Sequence, residues 1–251
     1  DLVFFYSQGN TGQYEYYRCN NCGIVNLDLK NGFGQEKYTE KYVDPFNENL
    51  KINIDQVETF NFIENNMDRK GKILDIGCGN GKLLWLASKN GWQPEGIELS
   101  EYYAKVIMSR LDIDVKVADF LEMNTNGKKY DLITLRHVLE HLPYPVDALK
   151  KINDLLKDNG IAIMEFPNIM GLSFKVKRGL GKIGLYKKSY DQNYVPGHCN
   201  EYHKRSFEYL ANAAGFYLKK WETYSSRKSL NFIYKNVNIG NKARVLIQKK
   251  S

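Results

Sequence analysis

The sequence lacks the features that mark membrane and secreted proteins. No apolar run in its 251 residues approaches the ~20 residues that a bilayer-spanning helix needs. The chain opens DLVFFY, with no basic region before the apolar residues, so we expect no signal peptide. Its four cysteines are too few and too scattered for a secreted disulfide framework. These absences predict a soluble, cytoplasmic protein without a transmembrane segment.

The net charge of +7 is not accompanied by a nucleic-acid-binding signature. A basic chain can attract nucleic acid, anionic lipid or a phosphorylated metabolite, although a general excess of Lys has the same effect. The sequence lacks the Asn/Asp-Pro-Pro-Tyr/Phe signature that grips a flipped base, and it has no appended binding module. We therefore expect a small-molecule substrate, phosphorylated or nucleotide-linked, and no nucleic acid.

The most informative segment that is present is ILDIGCGNG, at residues 73–81. Its apolar start predicts a buried strand, and Gly77, Gly79 and Gly81 predict a turn that side chains would obstruct. The apolar residues 82–87 predict a helix after the turn. A strand, a glycine turn and a helix bring backbone N–H groups up to a ligand. Glu98 follows a second short strand about 20 positions later, where an acid that binds ribose is expected.

Strand and helix patterns then alternate to about residue 166, which predicts a parallel sheet with helices on both faces. Asp119, with Phe120 beside it, ends a third short strand. The segments YDLITLRHVLEHLPYPVDAL (130–149) and LLKDNGIAIMEFPN (155–168) supply the next strands and a helix. Residues 206–216 predict a capped helix that ends in Gly, and residues 243–248 predict the last strand.

In order and spacing, these segments resemble class I S-adenosylmethionine-dependent methyltransferases over about residues 46–251. The resemblance implies a Rossmann-like α/β fold: a seven-stranded sheet with helices on both faces, with the last strand antiparallel. It implies S-adenosylmethionine as cofactor and S-adenosylhomocysteine as product. The Lys-rich insertion at about 169–205 would be the substrate lid of this domain. A solvated helix and loop, or peripheral contact with a membrane, are the alternatives for the insertion.

The resemblance also assigns cofactor contacts. Asp75 would orient the glycine loop near the methionine amino group, Glu98 would accept from the ribose hydroxyls, and Asp119 would accept from the adenine amino group. Open α/β sheets bind ligands at the carboxyl ends of their strands. The predicted cofactor-binding residues are Asp75, Gly77, Cys78, Gly79, Glu98, Leu99, Asp119, Phe120 and Arg136.

Catalytic candidates are concentrated in the segment RHVLEH, at residues 136–141. On a helix, His137 and His141 would share a face, with Glu140 close by. The matching segment of ubiquinone-type O-methyltransferases and small-RNA 2′-O-methyltransferases reads ExxEH and carries Mg²⁺ or a similar ion. Here His137 replaces the first Glu, and imidazole prefers softer ions than Mg²⁺. A general base or substrate contact, a metal site and a structural brace remain the three interpretations.

His198 is the second catalytic candidate. Its surroundings loosely resemble the segment that carries the base in sugar C- and O-methyltransferases with an N-terminal zinc ribbon. The matching positions are Asp191, Gln192, Tyr194 and Tyr202. A purely structural role for His198 is the alternative.

Residues 1–45 predict a separate N-terminal β extension. An aromatic, alternating stretch predicts a hairpin, and Cys19-Asn-Asn-Cys22-Gly has the form of a zinc knuckle. Tetrahedral zinc needs two more ligands, but the sequence has no second CxxC, and Cys78 lies inside the glycine turn. Cys19 and Cys22 are therefore candidate zinc ligands of a partial zinc ribbon, the module that many relatives of this methyltransferase type carry.

The main functional prediction is methylation, on oxygen or carbon, of a sugar nucleotide or a surface-polysaccharide unit. The candidate zinc knuckle, the basic insertion and His198 favour it. The alternative is an O-methyltransferase acting on a phenolic or quinone ring, which the LEH segment and the abundance of Tyr and Phe favour. A catalytically inactive, cofactor-binding partner protein is the third hypothesis.

Overall fold

The computed structural model describes residues 2–3, 14–34, 54–125, 127–186, 195–225, 231, 234 and 237–250. The predicted positions Asp191, Gln192 and Tyr194 lie outside these residues. The described strands are β1 (Leu2–Val3), β2 (Tyr16–Arg18), β3 (Val25–Leu27), β4 (Lys72–Ile76), β5 (Gln93–Glu98), β6 (Val115–Val117), β7 (Tyr130–Arg136), β8 (Leu156–Pro167), β9 (Asn200–Glu201), β10 (Phe216–Tyr224) and β11 (Lys242–Lys249).

Six α-helices accompany these strands in the described part of the chain. They are α1 (Ile54–Glu64), α2 (Lys82–Lys89), α3 (Glu101–Leu111), α4 (Pro145–Leu155), α5 (Leu172–Lys182) and α6 (Lys204–Ala213). Individual residues favour the beginning of two of these helices. The Ser100 side chain accepts from the Tyr103 amide and caps α3, while Pro145 occupies the first turn of α4, where its missing N–H costs nothing.

The central sheet has seven strands in the order β10-β11-β8-β7-β4-β5-β6. Strands β4 to β8 are parallel to their neighbours within this set, and β11 runs antiparallel between β8 and β10. This arrangement confirms the predicted Rossmann-like sheet and its antiparallel last strand. The order places β4 and β7 side by side, so their carboxyl ends meet at one edge.

Helices cover both faces of the sheet, so the central strands are apolar almost throughout. Successive residues of a strand point to opposite faces, and β7 shows the pattern clearly. Ile133 packs in the cluster that includes Leu149 of α4 and Phe207 of α6. Leu132 packs on the other face, with Phe60 of α1 among others. The apolar clusters on the two faces of the sheet fix the strands, and the candidate site lies at the ends of these strands.

The second sheet has the order β1-β2-β3-β9. Strands β2 and β3 form an antiparallel hairpin, and β3 pairs with β9, which lies about 175 residues further along the chain. The N-terminal strands thus share a sheet with the end of the predicted lid region. No helix in the described ranges is both long and apolar enough to cross a bilayer.

Candidate active site

The turn after β4 adopts the left-handed backbone that favours glycine. Gly77 has φ of +69°, Gly79 of +52° and Gly81 of +68°. A Cβ on Gly77 would collide with Cγ2 of Val138, whereas one on Gly79 would meet no atom within 4 Å. The open space at Gly79 lies in the crevice at the carboxyl ends of the strands. The turn therefore leaves backbone exposed where a ligand can approach closely.

Glu98, the last residue of β5, is buried and ties the turn to the next helix. Its Oε2 accepts from the Gly79 amide at 2.8 Å, and its Oε1 accepts from the Ser100 amide at 3.0 Å. An ionised carboxylate has about four lone-pair positions. Two backbone bonds therefore leave Glu98 able to accept from the hydroxyls of a bound ribose.

Asp75 lies behind the turn. It is buried, and the Thr134 hydroxyl donates to its Oδ1 at 2.7 Å. Burial raises the pKa of Asp75 to about 6, against the opposing effects of the Thr134 hydrogen bond and the Arg136 charge. Because burial makes ionisation of Asp75 unfavourable, a nearby cation such as the ammonium group of a ligand would stabilise the ionised form.

A pocket of about 170 Å³ opens at this edge of the sheet. Seven of the nine predicted cofactor residues line it, and Asp75 and Cys78 do not. The Cys78 side chain instead packs with Leu84 and Ala104, beneath α2 and α3. The lining residues are Ile76, Gly77, Gly79, Ile97, Glu98, Leu99, Ala118, Asp119, Phe120, Arg136, His137, Val138, His141 and Leu142.

Arg136 enters the pocket from the end of β7 and is held by Glu165 of β8. Its Nε donates to Glu165 Oε2 at 3.0 Å, while Arg244 Nε and the Thr59 hydroxyl donate to Oε1. Burial acts to raise the pKa of Glu165, but the charges of Arg244 and Arg136 outweigh it and lower the pKa to about 2. The pair keeps a guanidinium fixed beside the predicted cofactor site.

The prediction that His137 and His141 share one face of a helix is wrong. His137 has φ of +56° and precedes a single 3-10 turn at Leu139–His141, so no α-helix carries the segment. A hydrogen bond of 2.7 Å from the His137 amide to the Glu165 carbonyl stabilises the strained backbone at His137. Both histidines nevertheless line the pocket, because the turn brings them to the same edge.

The structure brings His198 to the same place. Ligand-type atoms of Glu140, His141 and His198 all lie within 4.8 Å of one another, the one such cluster of three or more in the described ranges. The rings of His141 and His198 meet edge to face with centroids 4.9 Å apart. Oε2 of Glu140 is buried and has no hydrogen-bond partner among the residues that the structure describes. A buried carboxylate oxygen without a partner is costly unless a cation or donor satisfies it.

Both histidines of this cluster are oriented through Nδ1. The Gly197 carbonyl contacts Nδ1 of His141 at 2.5 Å, and Glu201 Oε1 contacts Nδ1 of His198 at 3.1 Å. Each acceptor favours the tautomer with the proton on Nδ1, which makes Nε2 the nitrogen that can bind an ion. Metal-binding histidines are usually held in this way by a carbonyl or a carboxylate.

The charges of the cluster suit a cation. Burial acts to raise the pKa of Glu140, but the hydrogen bond from His137 and the nearby histidines outweigh it and lower the pKa. Burial lowers the pKa of His141, against the opposing charge of Glu140. An ionised carboxylate and neutral imidazoles are the forms that bind metal.

Cys19 and Cys22 lie on the turn between β2 and β3. Backbone amides of Cys22 and Asn21 lower the pKa of Cys19, and burial raises the pKa of Cys22. Within the described ranges, no third cysteine, histidine or carboxylate joins them in a metal-binding cluster. The described residues therefore do not support zinc at this knuckle.

Sequence reasoning missed Glu165, Thr134 and Glu201. Glu165 carried a usable signal, since it is the charged residue in the apolar strand segment IAIMEF. A charge inside a buried strand requires a partner. Thr134 carried no comparable signal, because its partner Asp75 lies 59 residues away. Glu201 carried none either, because it stands in a polar stretch, GHCNEYH, rather than in an apolar strand.

The fold, the glycine turn and the acids at the ends of β5 and β6 define the class of S-adenosylmethionine-dependent methyltransferases. A family profile described as "Methyltransferase domain" matches residues 45–220, and the chain belongs to this family. A crystal structure of an S-adenosylmethionine-dependent methyltransferase from Clostridium acetobutylicum has a similar fold. It has a TM-score of 0.57 and 14% identity, covering 83% of this chain and 96% of that one.

Two curated relatives carry the name "Ubiquinone biosynthesis O-methyltransferase". The protein of Coxiella burnetii is 31% identical over 105 residues, which are 39% of this chain and 45% of that protein. The protein of Histophilus somni is 30% identical over 151 residues, 55% of this chain and 63% of that protein. The chain thus spans less than half of the Coxiella relative. These names agree better with the phenolic or quinone alternative than with the sugar-nucleotide prediction.

Proposed function

We propose that the protein is an O-methyltransferase that acts on a hydroxyl of a phenolic or quinone-type ring, with a divalent metal at Glu140, His141 and His198. The observation that carries this proposal is the position of the cluster. His141 belongs both to the cluster and to the pocket wall that holds Gly79, Glu98 and Asp119. The names of the two curated relatives support the aromatic substrate.

The cofactor would be held by groups at the ends of four strands, β4, β5, β6 and β7. Glu98 accepts from ribose, and Asp119 accepts from adenine with the oxygen that does not bond the Leu121 amide. The Gly77 and Gly79 backbone admits the methionine portion, with Asp75 and Arg136 as its charged neighbours. S-adenosylmethionine supplies an electrophilic methyl group, so the protein's task is mainly to align a nucleophile and take its proton.

The donor set fits a metal softer than Mg²⁺. Two imidazoles and one carboxylate are typical ligands of Zn²⁺, Mn²⁺, Fe²⁺ or Co²⁺, whereas Mg²⁺ prefers oxygen ligands. Oε2 of Glu140, which finds no partner in the described part of the chain, is the structural reason to expect an ion here. Such an ion would bind the substrate oxygen and make its proton easier to remove.

His137 is suited to receive that proton. It lines the pocket, its side chain is 37% exposed, and its Nδ1 lies 3.3 Å from Glu140 Oε1. Glu140 thus holds the ring through Nδ1, and Nε2 is the nitrogen available to act as the base. The same carboxylate contacts the base and offers its second oxygen to the metal.

The test is a methyl-transfer assay with a catechol and, separately, a sugar nucleotide as acceptor. We expect methylation of the catechol, loss of turnover after treatment with EDTA, and recovery with Mn²⁺, Co²⁺ or Zn²⁺. His141→Ala and His198→Ala should lower turnover by more than about 100-fold. His203→Ala is the matched control, because His203 lies outside the pocket and the cluster.

Two results would contradict the proposal. Methylation of the sugar nucleotide but not of the catechol would return the substrate to the class first predicted. Full turnover in EDTA, with S-adenosylmethionine bound normally, would remove the metal from the mechanism and leave His137 as the remaining candidate base.

A further inference from the structure

Residues 14–34 of the N-terminal region form a hairpin that contacts the segment carrying His198. We call it the N-terminal hairpin. Its strand β3 pairs with β9, with Val25 opposite Glu201 and Asn26 opposite Asn200. The Leu27 amide donates to the Cys199 carbonyl and the Gly34 amide to the Pro196 carbonyl, both at 2.8 Å. Backbone hydrogen bonds therefore hold both flanks of His198.

One side chain of the hairpin reaches His198 itself. Tyr16 is fully buried, and its hydroxyl donates to the His198 carbonyl at 3.1 Å. The ring packs in a small apolar cluster with Val25, Leu27 and Cys199 among its members. Tyr16 therefore fixes the backbone at the histidine, while its neighbour Tyr17 points outward and is 41% exposed.

The same segment is bonded to the turn that supplies the other members of the cluster. The Cys199 amide donates to the Glu140 carbonyl at 2.9 Å, and the Asn200 side chain donates to the Leu142 carbonyl at 2.5 Å. The hairpin, residues 196–201 and the turn at 139–142 thus form one hydrogen-bonded unit. The distance from His198 to Glu140 and His141 is set within this unit.

We infer that the N-terminal hairpin is part of the active site, with Tyr16 and Glu201 as positioning residues for His198. Tyr16 fixes the backbone, and Glu201 fixes the ring through Nδ1. The hairpin also holds Glu201 in place, because Val25 is its strand partner. This inference rests on the proposed function, since it assigns these residues the task of presenting His198 to the metal.

The first experiment compares Tyr16→Phe with Tyr17→Phe in the full chain. Co²⁺ affinity is measured by calorimetry, the visible spectrum of bound Co²⁺ reports ligand geometry, and S-adenosylhomocysteine affinity is measured in parallel. Loss of one buried hydrogen bond should weaken Co²⁺ binding by roughly 3- to 10-fold and alter the spectrum in Tyr16→Phe. Tyr17→Phe should match the wild type, and cofactor affinity should not change in either variant.

The second experiment tests whether Glu201 acts as a hydrogen-bond acceptor for His198 or only fills buried volume by packing. Glu201→Leu removes the acceptor for Nδ1 of His198, and Glu201→Gln retains one. We expect Glu201→Leu to lose about 10- to 100-fold in Co²⁺ affinity and Glu201→Gln to recover most of it. Thermal unfolding of each variant checks that the fold is retained.

The outcomes distinguish the inference from the proposed function. If the wild type binds Co²⁺ but Tyr16→Phe binds it with the same affinity and spectrum, the positioning role of the hairpin is refuted while the metal site stands. If the wild type binds no Co²⁺, Mn²⁺ or Zn²⁺, the metal site is refuted and the inference with it. Equal losses in Glu201→Leu and Glu201→Gln would refute the assigned role of Glu201.

Discussion

The backbone amide of Gly79 donates a hydrogen bond of 2.8 Å to Oε2 of Glu98, nineteen residues away. The bond joins the turn after β4 to the end of β5. It gives Glu98 a structural task beside its expected task of binding ribose, because the same carboxylate also accepts from the Ser100 amide at the start of α3. The turn and the candidate cofactor site are therefore stabilised by one side chain.

Replacing Glu98 should weaken cofactor binding by more than the loss of one negative charge would, because the same side chain also supports the turn. In Glu98→Gln, one oxygen becomes an NH₂ group that faces a backbone amide instead of accepting from it. We expect S-adenosylhomocysteine affinity to fall by about 10- to 100-fold, measured by calorimetry. Glu95→Gln is the control, since Glu95 lies on the same strand and bonds Tyr130 outside the pocket. Equal affinities for the two variants would refute the role of Glu98.

Cofactor affinity should depend on pH through Asp75. Burial raises its pKa to about 6, and only the ionised carboxylate attracts the methionine ammonium. Affinity for S-adenosylhomocysteine should therefore be constant above about pH 7 and should weaken towards tenfold per pH unit below about pH 6. Asp75→Asn should bind more weakly at pH 7 and show little pH dependence between pH 5 and pH 7. A wild-type profile as flat as that of the variant would contradict this assignment.

Glu165 should dominate the electrostatic stability of the fold. Glu165→Gln removes the counter-charge of Arg244, which is 1% exposed, and leaves a buried guanidinium without its anion. We expect the free energy of unfolding in urea to fall by roughly 3–5 kcal/mol at pH 7. The control is Glu101→Gln, which removes an exposed ion pair with Lys105 and should change it by less than about 0.5 kcal/mol.

The pH dependence of this contribution has a defined sign. The pKa of Glu165 is lowered from its usual value of 4.5 to about 2 in the folded chain, so the unfolded chain takes up a proton first as pH falls. The stabilisation is fully present above about pH 4.5 and is lost between about pH 4.5 and pH 2. The difference between wild type and Glu165→Gln should shrink over that window, and a constant difference would contradict the assignment.

Much of the fold could be predicted because its determinants are local. An apolar strand, three glycines that adopt left-handed backbone and a following helix need only neighbouring residues to form. Because β5 and β6 are parallel neighbours, the residues at their carboxyl ends, Glu98 and Asp119, lie at one edge of the sheet. Seven predicted cofactor residues accordingly line a single pocket. Cys78 does not, since its side chain points away from the turn into the core.

The geometry of the histidines could not be predicted in the same way. Helical spacing placed His137 and His141 on one face, but the observed segment has a positive φ at His137 and one 3-10 turn. The amide bond from His137 to the Glu165 carbonyl stabilises that conformation against the local preference. This backbone contact with a neighbouring strand, which no local pattern encodes, fixes the conformation at His137, and the Gly197 carbonyl orients the His141 ring.

The sequence alone determined the class of sheet, the glycine turn and the acids that follow it, because periodicity and glycine placement act over a few residues. The tertiary structure alone decided that Tyr16 reaches His198 and that His198 lies beside Glu140. Tyr16 and His198 are 182 residues apart, and the Tyr16 hydroxyl donates to the His198 carbonyl. Pairings at that separation depend on how the whole chain closes, so no short-range pattern specifies them.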